Sequence, residues 1–175
     1  TKDFISIKKI GIIGAGMVGQ ALANGFLKHG FEVMIGSRSP EKLGDWKKQT
    51  DGKGKTGTFE QTAQFGELIV IAVKGKEAEH AIELAGVSNL SNKTVIDATN
   101  PIDDSRPPEN GVLHYFTSLD QSLMERLQKQ VPGAHFVKAF NSVGNAHMVN
   151  PSFGNQKHTM FICGNSEPAK KEVVE

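Results

Sequence analysis

The segment 7–23 constrains the fold more than any other part of the chain. An isoleucine-rich run is followed by Gly14, Gly16 and Gly19, and apolar residues then recur at helical spacing. This pattern predicts a strand, a tight turn and a helix, the dinucleotide-binding fingerprint Gly-x-Gly-x-x-Gly. Gly14 is expected to form the turn, Gly16 to let a pyrophosphate approach the backbone, and Gly19 to let the helix pack on the strand. The alternative is a glycine-rich turn that binds no ligand, but this would not explain why all three glycines stand at the spacing of the fingerprint. The predicted cofactor contacts here are Gly14, Ala15, Gly16, Met17, Val18 and Gly19.

Strand and helix patterns alternate along the rest of the chain. Strands are predicted at 7–13, 31–36, near 57–58, and at 68–73, 94–100, 135–141 and 158–164. Helices are predicted at 17–27, 39–48, 59–65, 77–84, 118–131 and from 166 onward. This alternation predicts an α/β fold, a Rossmann-type doubly wound and mostly parallel sheet, in a single NADP-binding domain covering 1–175.

Length and charge exclude several classes of function. A chain of 175 residues is the size of one domain, and 20 Lys plus Arg against 19 Asp plus Glu leave a net charge of +1, so no strong field attracts nucleic acid or a membrane surface. The single Cys163 excludes an internal disulfide and fits a reducing compartment. No apolar run reaches about 18 residues, and the start Thr1-Lys2-Asp3-Phe4 lacks the apolar segment of a signal peptide. We therefore expect a cytoplasmic protein.

The end of the second predicted strand indicates which nucleotide is bound. NAD-binding folds place a carboxylate here for the ribose 2′-hydroxyl, whereas this chain has Ser37, Arg38 and Ser39. Arg38 can pair with a 2′-phosphate and Ser37 can donate to it, which favours NADP. Ser39 and Pro40 resemble a helix start that brings Lys42 beside the same phosphate. The alternative for Arg38 is a solvated loop charge.

Two further strand ends supply candidate cofactor contacts, at residues 72–74 and at Asn100 with Pro101. Ala72, Val73 and Lys74 end the fourth strand, so they are expected under the central part of the cofactor, although Lys74 is as consistent with a solvated charge. Asn100, which Pro101 holds outside the helical region, can bond a ribose or carboxamide or serve as an Asx-turn residue.

The sequence assigns no single role to three further polar residues, Asn141, Asp97 and Lys138. Asn141, at the end of the sixth strand, is a candidate for positioning a ring by its amide, or else a helix N-cap. Asp97 lies within a strand and is expected at a hydrogen-bonded edge or paired with a helix end, and a general-base role is not favoured. The role of Lys138 is left open.

Two later segments bear on the site. The polar stretch 102–117 is a long connection of the kind that often lies over a site, and Ser118 with Gln121 forms a predicted capping box for the next helix. The last helix reaches Glu175 without a C-cap, so we expect a domain that is cut short or that ends in a disordered tail.

Other catalytic chemistry lacks candidates in the sequence. The six histidines never fall at i, i+4 spacing, so a metal site is not expected. No Gly-x-Ser-x-Gly motif is present, and Gly54-Lys55-Thr56 lacks the upstream glycine and strand of an ATP-binding P-loop.

Four motifs together resemble a known family. The fingerprint, Gly36-Ser37-Arg38-Ser39, Asp97-Ala98-Thr99-Asn100-Pro101 and Val137-Lys138-Ala139-Phe140-Asn141 are similar to those of the NADP oxidoreductases that depend on the deazaflavin coenzyme F420. They are also similar to the NADPH-binding domain of the STEAP metalloreductases. The resemblance implies 2′-phosphate contacts at Ser37, Arg38 and Lys42, and a nicotinamide near Asn100 and Asn141.

The resemblance also implies an activity and a partner. It implies direct hydride transfer between the nicotinamide and a flavin or deazaflavin acceptor, with the protein supplying orientation and exclusion of water. Family members continue with a further strand and helices that help close the acceptor side and form a homodimer. The membrane helices of the metalloreductases do not occur in this sequence. Alternatives are an NADPH-dependent reductase of a small imine such as pyrroline-5-carboxylate, and an NADP-sensing module without catalytic activity.

Overall fold

The computed structural model describes residues 6–175 and is built around one six-stranded sheet. The strands are β1 Lys9–Ile13, β2 Glu32–Gly36, β3 Lys55–Gly57, β4 Leu68–Ile71, β5 Thr94–Asp97 and β6 His135–Lys138. Their order is β3-β2-β1-β4-β5-β6, and every neighbouring pair is parallel. The direction of winding reverses between β1 and β4, which confirms the predicted doubly wound Rossmann-type fold. The opening Thr1-Lys2-Asp3-Phe4 lies outside the described range.

Helices cover both faces of this sheet. They are α1 Met17–Lys28, α2 Gly44–Gln49, α3 Phe59–Phe65, α4 Ala78–Ala85, α5 Val87–Leu90, α6 Leu123–Gln130 and α7 Glu167–Val174. Helices α3 to α6 pack on one face, whereas α1, α2 and α7 pack on the other. None of the helices formed by residues 6–175 has the length and apolarity needed to cross a membrane.

The central strand β4 shows how the two faces share the core. Leu68 and Val70 point into one apolar cluster, Ile69 and Ile71 point into the other, and all four side chains are buried. A strand covered on both faces needs a continuous apolar run rather than an alternating one. The apolar sequence of β4 is therefore explained by its place in the middle of the sheet.

The connection 102–116 forms a hairpin that starts and ends beside the sheet. Ile102 and Tyr115 form an antiparallel bridge, and the Asp103 N–H donates to the His114 carbonyl at 2.8 Å. The Phe116 N–H then donates to the Pro101 carbonyl at 3.0 Å, which brings the chain back to where it left β5. This hairpin lies where the sequence predicts a connection over a site.

The helix predicted to start at Ser118 begins four residues later, so the predicted start is wrong. Ser118 and Gln121 instead form an isolated antiparallel bridge. The capping box is made by Ser122, whose hydroxyl accepts from the Glu125 N–H at 3.2 Å while its own N–H donates to the Glu125 carboxylate at 2.6 Å. This backbone hydrogen bond lowers the pKa of the Glu125 carboxyl. Leu119 is fully exposed, so no apolar contact favours the earlier start.

The predicted strand at 158–164 is also wrong. This stretch joins the sheet at one antiparallel bridge only, where Lys138 and Cys163 exchange backbone hydrogen bonds of 2.8 and 3.2 Å. Phe161 is 72% exposed, whereas Ile162 packs against the apolar cluster on the face that carries α1, α2 and α7. One bridge does not make an extended ladder, so the apolar composition of this stretch does not produce a strand.

Replacing Ser122 with alanine tests the observed helix start. The Ser122→Ala variant loses the acceptor for the Glu125 N–H, so we expect its free energy of unfolding to fall by about 0.5–2 kcal/mol. The Ser118→Ala variant is the matched control and should stay within about 0.5 kcal/mol of the parent. Urea denaturation followed by circular dichroism measures both, and a larger loss at Ser118 would contradict the observed boundary.

Candidate nucleotide-binding site

A cleft of about 840 Å³ opens at the carboxyl ends of β1 and β4. This is the point where the winding of the sheet reverses, and open α/β sheets bind their ligands there. The sequence-predicted residues that line the cleft are Gly14, Ala15, Gly16, Met17, Val18, Ser37, Arg38, Ala72, Val73, Lys74 and Asn100. The predicted residues outside its lining are Gly19, Ser39, Lys42, Pro101 and Asn141.

Three glycines shape the floor of the cleft. Gly14 has φ of +123°, and a Cβ there would lie 2.3 Å from the Ala72 carbonyl oxygen. A Cβ on Gly19 would lie 2.1 Å from the Gly14 carbonyl oxygen, so the start of α1 packs directly on the loop. A Cβ on Gly16 would meet no protein atom within 4 Å. Two glycines thus serve close packing, and the third leaves open space above the loop.

The start of α1 faces this open space with unused donors. Gly16 is the N-cap residue and supplies no side chain, and the first turn contains no acidic residue. The N–H groups of Met17, Val18 and Gly19 meet no acceptor among residues 6–175, since the helix ladder begins with Gln20 donating to Gly16. Free N–H groups and the positive end of the helix dipole together favour an anion.

The loop after β2 carries a basic residue of the cleft lining, Arg38. The Gly14 N–H donates to the Gly36 carbonyl at 3.1 Å, which links the glycine loop to the end of β2. The Ser37 hydroxyl accepts from the Ser39 N–H at 3.0 Å and keeps its own proton available. Arg38 is exposed and forms no ion pair with any residue of 6–175.

The helix start predicted at Ser39 is present, with two differences. A short 3₁₀ helix, Pro40–Leu43, precedes α2, and Ser39 occupies its N-cap position without a side-chain hydrogen bond. Lys42 lies in this exposed 3₁₀ turn, one turn beyond Arg38 in the chain. The structure therefore brings Ser37 and Arg38 into the lining of the cleft and leaves Lys42 outside that lining.

The loop after β4 connects the cleft to the hairpin 102–116. Asp104 of the hairpin lies 2.8 Å from the Lys76 ammonium and 3.4 Å from that of Lys74. The hydrogen bond from Lys76, and then that from Lys74, lowers the pKa of the Asp104 carboxyl, and the same contact raises the pKa of Lys76. Lys74 is therefore partnered by the hairpin, although its side chain is 74% exposed.

The ends of β5 and β6 meet through two asparagines. The Asn100 amide donates to the Asn141 carbonyl at 3.0 Å, and the Asn141 amide lies 3.4 Å from the Asn100 side-chain oxygen. Asn100 is thus not an Asx-turn residue. Asn141 is not a helix N-cap, because the next helical turn, Asn145–His147, has Gly144 in that position.

Asp97 differs from both expectations for it. Its side chain is fully buried, and one carboxylate oxygen accepts from the Thr99 N–H at 2.9 Å and from the Thr99 hydroxyl at 2.6 Å. The other oxygen accepts from the Lys138 ammonium at 2.9 Å. Its partners are therefore a lysine and its own loop, neither of which is a helix end.

Sequence reasoning missed the part of the cleft wall that α3 and α4 supply. Phe59 from the start of α3 and His80, Ala81 and Leu84 from α4 form this wall. The helical spacing of the three α4 residues places them on one face, and α4 begins at the same end of the sheet as the cleft. The helical spacing of these residues and the position of α4 were the sequence signals that could have predicted this wall. Other unpredicted lining residues are Gly75, Lys76, Glu77, Ala98, Thr99, Ile102 and Asp104.

The side chains along residues 6–175 offer no group of three His, Cys, Asp or Glu that could hold a metal ion. The cleft's polar groups are backbone N–H donors, an amide, hydroxyls, several cations and two carboxylates, Glu77 and Asp104, of which Asp104 is paired with Lys74 and Lys76. This donor set fits an extended anionic molecule with one or more phosphates.

Comparisons with known proteins agree with this chemistry. The family model for NADP oxidoreductase, coenzyme F420-dependent, matches residues 9–101, more than half of the 175 residues. The crystal structure of a proposed F420-dependent NADP reductase from Arthrobacter sp. FB24 superposes with a TM-score of 0.88 at 30% identity, covering 96% of this chain and 78% of that chain.

Two curated relatives match at the sequence level. Metalloreductase STEAP3 of Rattus norvegicus is 31% identical over 169 residues, 95% of this chain and 31% of that protein. An NADPH-dependent reductive aminase of Aspergillus oryzae is 28% identical over 93 residues, 53% of this chain and 31% of that protein. The chain thus spans about a third of the length of these relatives. The matches confirm the resemblance drawn from the four motifs, and they confirm NADP as the cofactor and oxidoreductase as the class. The chain belongs to the family of coenzyme F420-dependent NADP oxidoreductases.

Proposed function

We propose that this protein binds NADP(H) along the cleft and transfers hydride between its nicotinamide and a flavin or deazaflavin acceptor of the coenzyme F420 type. The observation that carries the proposal is the open space over Gly16, onto which three unused N–H groups of α1 face. A backbone anion site without side-chain competitors fits the pyrophosphate of a dinucleotide.

Three groups of residues would hold the rest of the cofactor. Ser37, Arg38 and Lys42 would bind the 2′-phosphate, because they offer a free hydroxyl proton and two cations, and positions 37–39 directly after β2 contain no acid. The wall formed by Phe59, His80, Ala81 and Leu84 would face the adenine. Asn100, with Asn141 behind it, would orient the nicotinamide half.

The protein's part in the reaction is positioning. Bound NADPH supplies the hydride, and no proton needs to move at the protein for transfer to a flavin-type ring. Asn141 would act through Asn100, whose amide it fixes by two contacts. Reacting atoms must be held about 3–3.5 Å apart for efficient transfer, so rigid loops at the ends of β5 and β6 contribute directly to rate.

The cellular setting and assembly are part of the same proposal. The single cysteine, Cys163, is free and exposed, which suits a reducing compartment such as the cytoplasm. A homodimer is proposed because the resemblance to the family implies one. Nucleic acid is not proposed as a partner, since the net charge is +1.

Removing Arg38 tests the choice between the two nucleotides. We expect Arg38→Ala to weaken NADPH binding by about ten- to a hundredfold, because a charge-assisted contact is worth roughly 1.5–3 kcal/mol. NADH binding should change little. Calorimetric titration measures both. The control Lys28→Ala removes the same charge at the far end of α1 and should alter neither affinity. Equal losses of NADPH and NADH affinity in Arg38→Ala would contradict a 2′-phosphate contact.

Filling the open space over Gly16 tests the pyrophosphate site. We expect Gly16→Val to abolish binding of NADPH and NADH, since its side chain extends where no protein atom lies within 4 Å of the Cβ. For the same reason the melting temperature should stay close to that of the parent. Retained NADPH affinity in the folded variant would place the nucleotide elsewhere.

Turnover with different acceptors tests the proposed reaction. We expect NADPH oxidation, followed by its absorbance, in the presence of flavin mononucleotide or a deazaflavin, and none with Gly16→Val. Oxidation only with a cyclic imine would favour the imine reductase alternative. Tight NADPH binding without oxidation by any of these acceptors would favour a sensing module.

A further inference from the structure

A buried ion pair lies beneath the nicotinamide end of the cleft, and the proposed function leaves it without a role. Asp97 is fully buried at the end of β5, and the Lys138 side chain, at the end of β6, is 16% exposed. The Lys138 ammonium donates to the Asp97 carboxylate and also to the Thr99 carbonyl. With the two contacts from Thr99 to Asp97, four hydrogen bonds converge on the three residues 97–99.

Stability alone does not explain this pair. Burying two charges carries a desolvation cost that their attraction often only offsets, and apolar residues of similar size commonly stabilise a core as well or better. The surrounding strand positions Val95, Ile96 and Val137 are all apolar and buried, so an apolar pair would suit this environment. The directional contact of the ammonium with the loop distinguishes the pair from an apolar one.

The contact with Thr99 fixes the direction of the next peptide group. The Thr99–Asn100 peptide is trans, so its N–H points opposite to its carbonyl. Because the carbonyl points at Lys138, the Asn100 N–H points away from Lys138, and no residue of 6–175 accepts a hydrogen bond from it. Thr99 and Asn100 both line the cleft, so this donor is available to a bound molecule.

The next carbonyl group along the chain, that of Asn100, is held by the loop after β4. A Cβ on Gly75 would lie 2.1 Å from the Asn100 carbonyl oxygen, so the loop after β4 packs tightly on the Asn100 backbone. The Asn100 side chain is fixed in turn by Asn141. Residues 99–100 are therefore held by β6 below and by the β4 loop beside them, and only the face toward the cleft is free.

We propose that Lys138, anchored by Asp97, is a positioning residue that aims the Asn100 N–H at the nicotinamide half of the nucleotide. This inference rests on the proposed nucleotide site. The inference predicts that breaking the ion pair weakens binding of the nicotinamide half of the cofactor and leaves binding of the adenine half unchanged. The nucleotide site alone does not predict this difference.

A fragment of the cofactor allows binding of its two halves to be tested separately. NADPH reaches both ends of the cleft, whereas adenosine 2′,5′-bisphosphate carries the 2′-phosphate and adenine but no nicotinamide. The informative variant is the double substitution Asp97→Asn with Lys138→Met. It leaves no unpaired buried charge, keeps an acceptor for the Thr99 N–H, and removes the donor to the Thr99 carbonyl.

We expect this double variant to bind NADPH about tenfold more weakly, the loss of roughly one well-placed hydrogen bond. Its affinity for adenosine 2′,5′-bisphosphate should stay within about twofold of the parent, because changes at distant sites without shared contacts have independent effects. The control removes another ion pair, Glu79→Gln with Arg126→Met, which joins α4 to α6 outside the cleft lining and should leave both affinities unchanged. Calorimetry gives the affinities, and thermal melting reports the folded state.

Several outcomes would overturn the inference. Unchanged NADPH affinity in the folded double variant would do so, as would equal losses for the two ligands, which would assign the pair to the fold as a whole. If the double variant does not fold, Gly75→Ala displaces the Asn100 carbonyl from the opposite side, and the same selective loss is expected. A folded Gly75→Ala variant with unchanged NADPH affinity, or with equal losses, would again overturn it. A parent protein that binds neither ligand would contradict the proposed site itself, and the inference with it.

Discussion

The close approach of backbone to backbone at the glycine loop is the constraint on which the rest of the structure depends. Gly14 packs on the Ala72 carbonyl of the β4 loop, and α1 packs through Gly19 on the Gly14 carbonyl. These contacts bring β1, β4 and α1 together at the point where the sheet's winding reverses. Because the helix starts so close to the strands, its unused N–H groups lie at the floor of the cleft, and a side chain at either glycine would move the helix away.

The sequence predicted those parts of the fold that depend on local pattern. The apolar run of β4 and the glycine spacing each carry enough information in a few neighbouring residues to identify a buried strand or a βα turn. The strands β4 and β5 are shorter than predicted, because Ala72, Val73 and Ala98 belong to loops that line the cleft. Strand β6 is also shorter than predicted and ends at Lys138, before the apolar Ala139 and Phe140. Apolar composition alone does not distinguish a strand residue from a buried loop residue.

The parts that could not be predicted depend on partners distant in the chain. Ser118 and Ser122 are both followed at the third position by a residue able to complete a capping box, and only packing decides between them. The two expectations for Asp97, a hydrogen-bonded edge or a helix end, do not include its lysine partner. Lys138 lies 41 residues further on, and the register between β5 and β6 determines their contact. The stretch 158–164 has the composition of a strand, yet it pairs with β6 at one bridge only. The cleft wall on α4 was overlooked for the related reason that helix orientation is a tertiary property.

The hairpin 102–116 has a consequence for engineering. Its two ends are joined by the hydrogen bond from Phe116 to Pro101, so it leaves and re-enters the fold at one point. The cost of closing such a loop grows only slowly with its length, and exposed insertions between adjacent ends are tolerated well. Hairpins of other lengths and compositions can therefore be grafted at this point while the sheet stays unchanged. Since Ile102 and Asp104 line the cleft, such grafts would change one side of the cleft while the glycine loop at its floor stays unchanged.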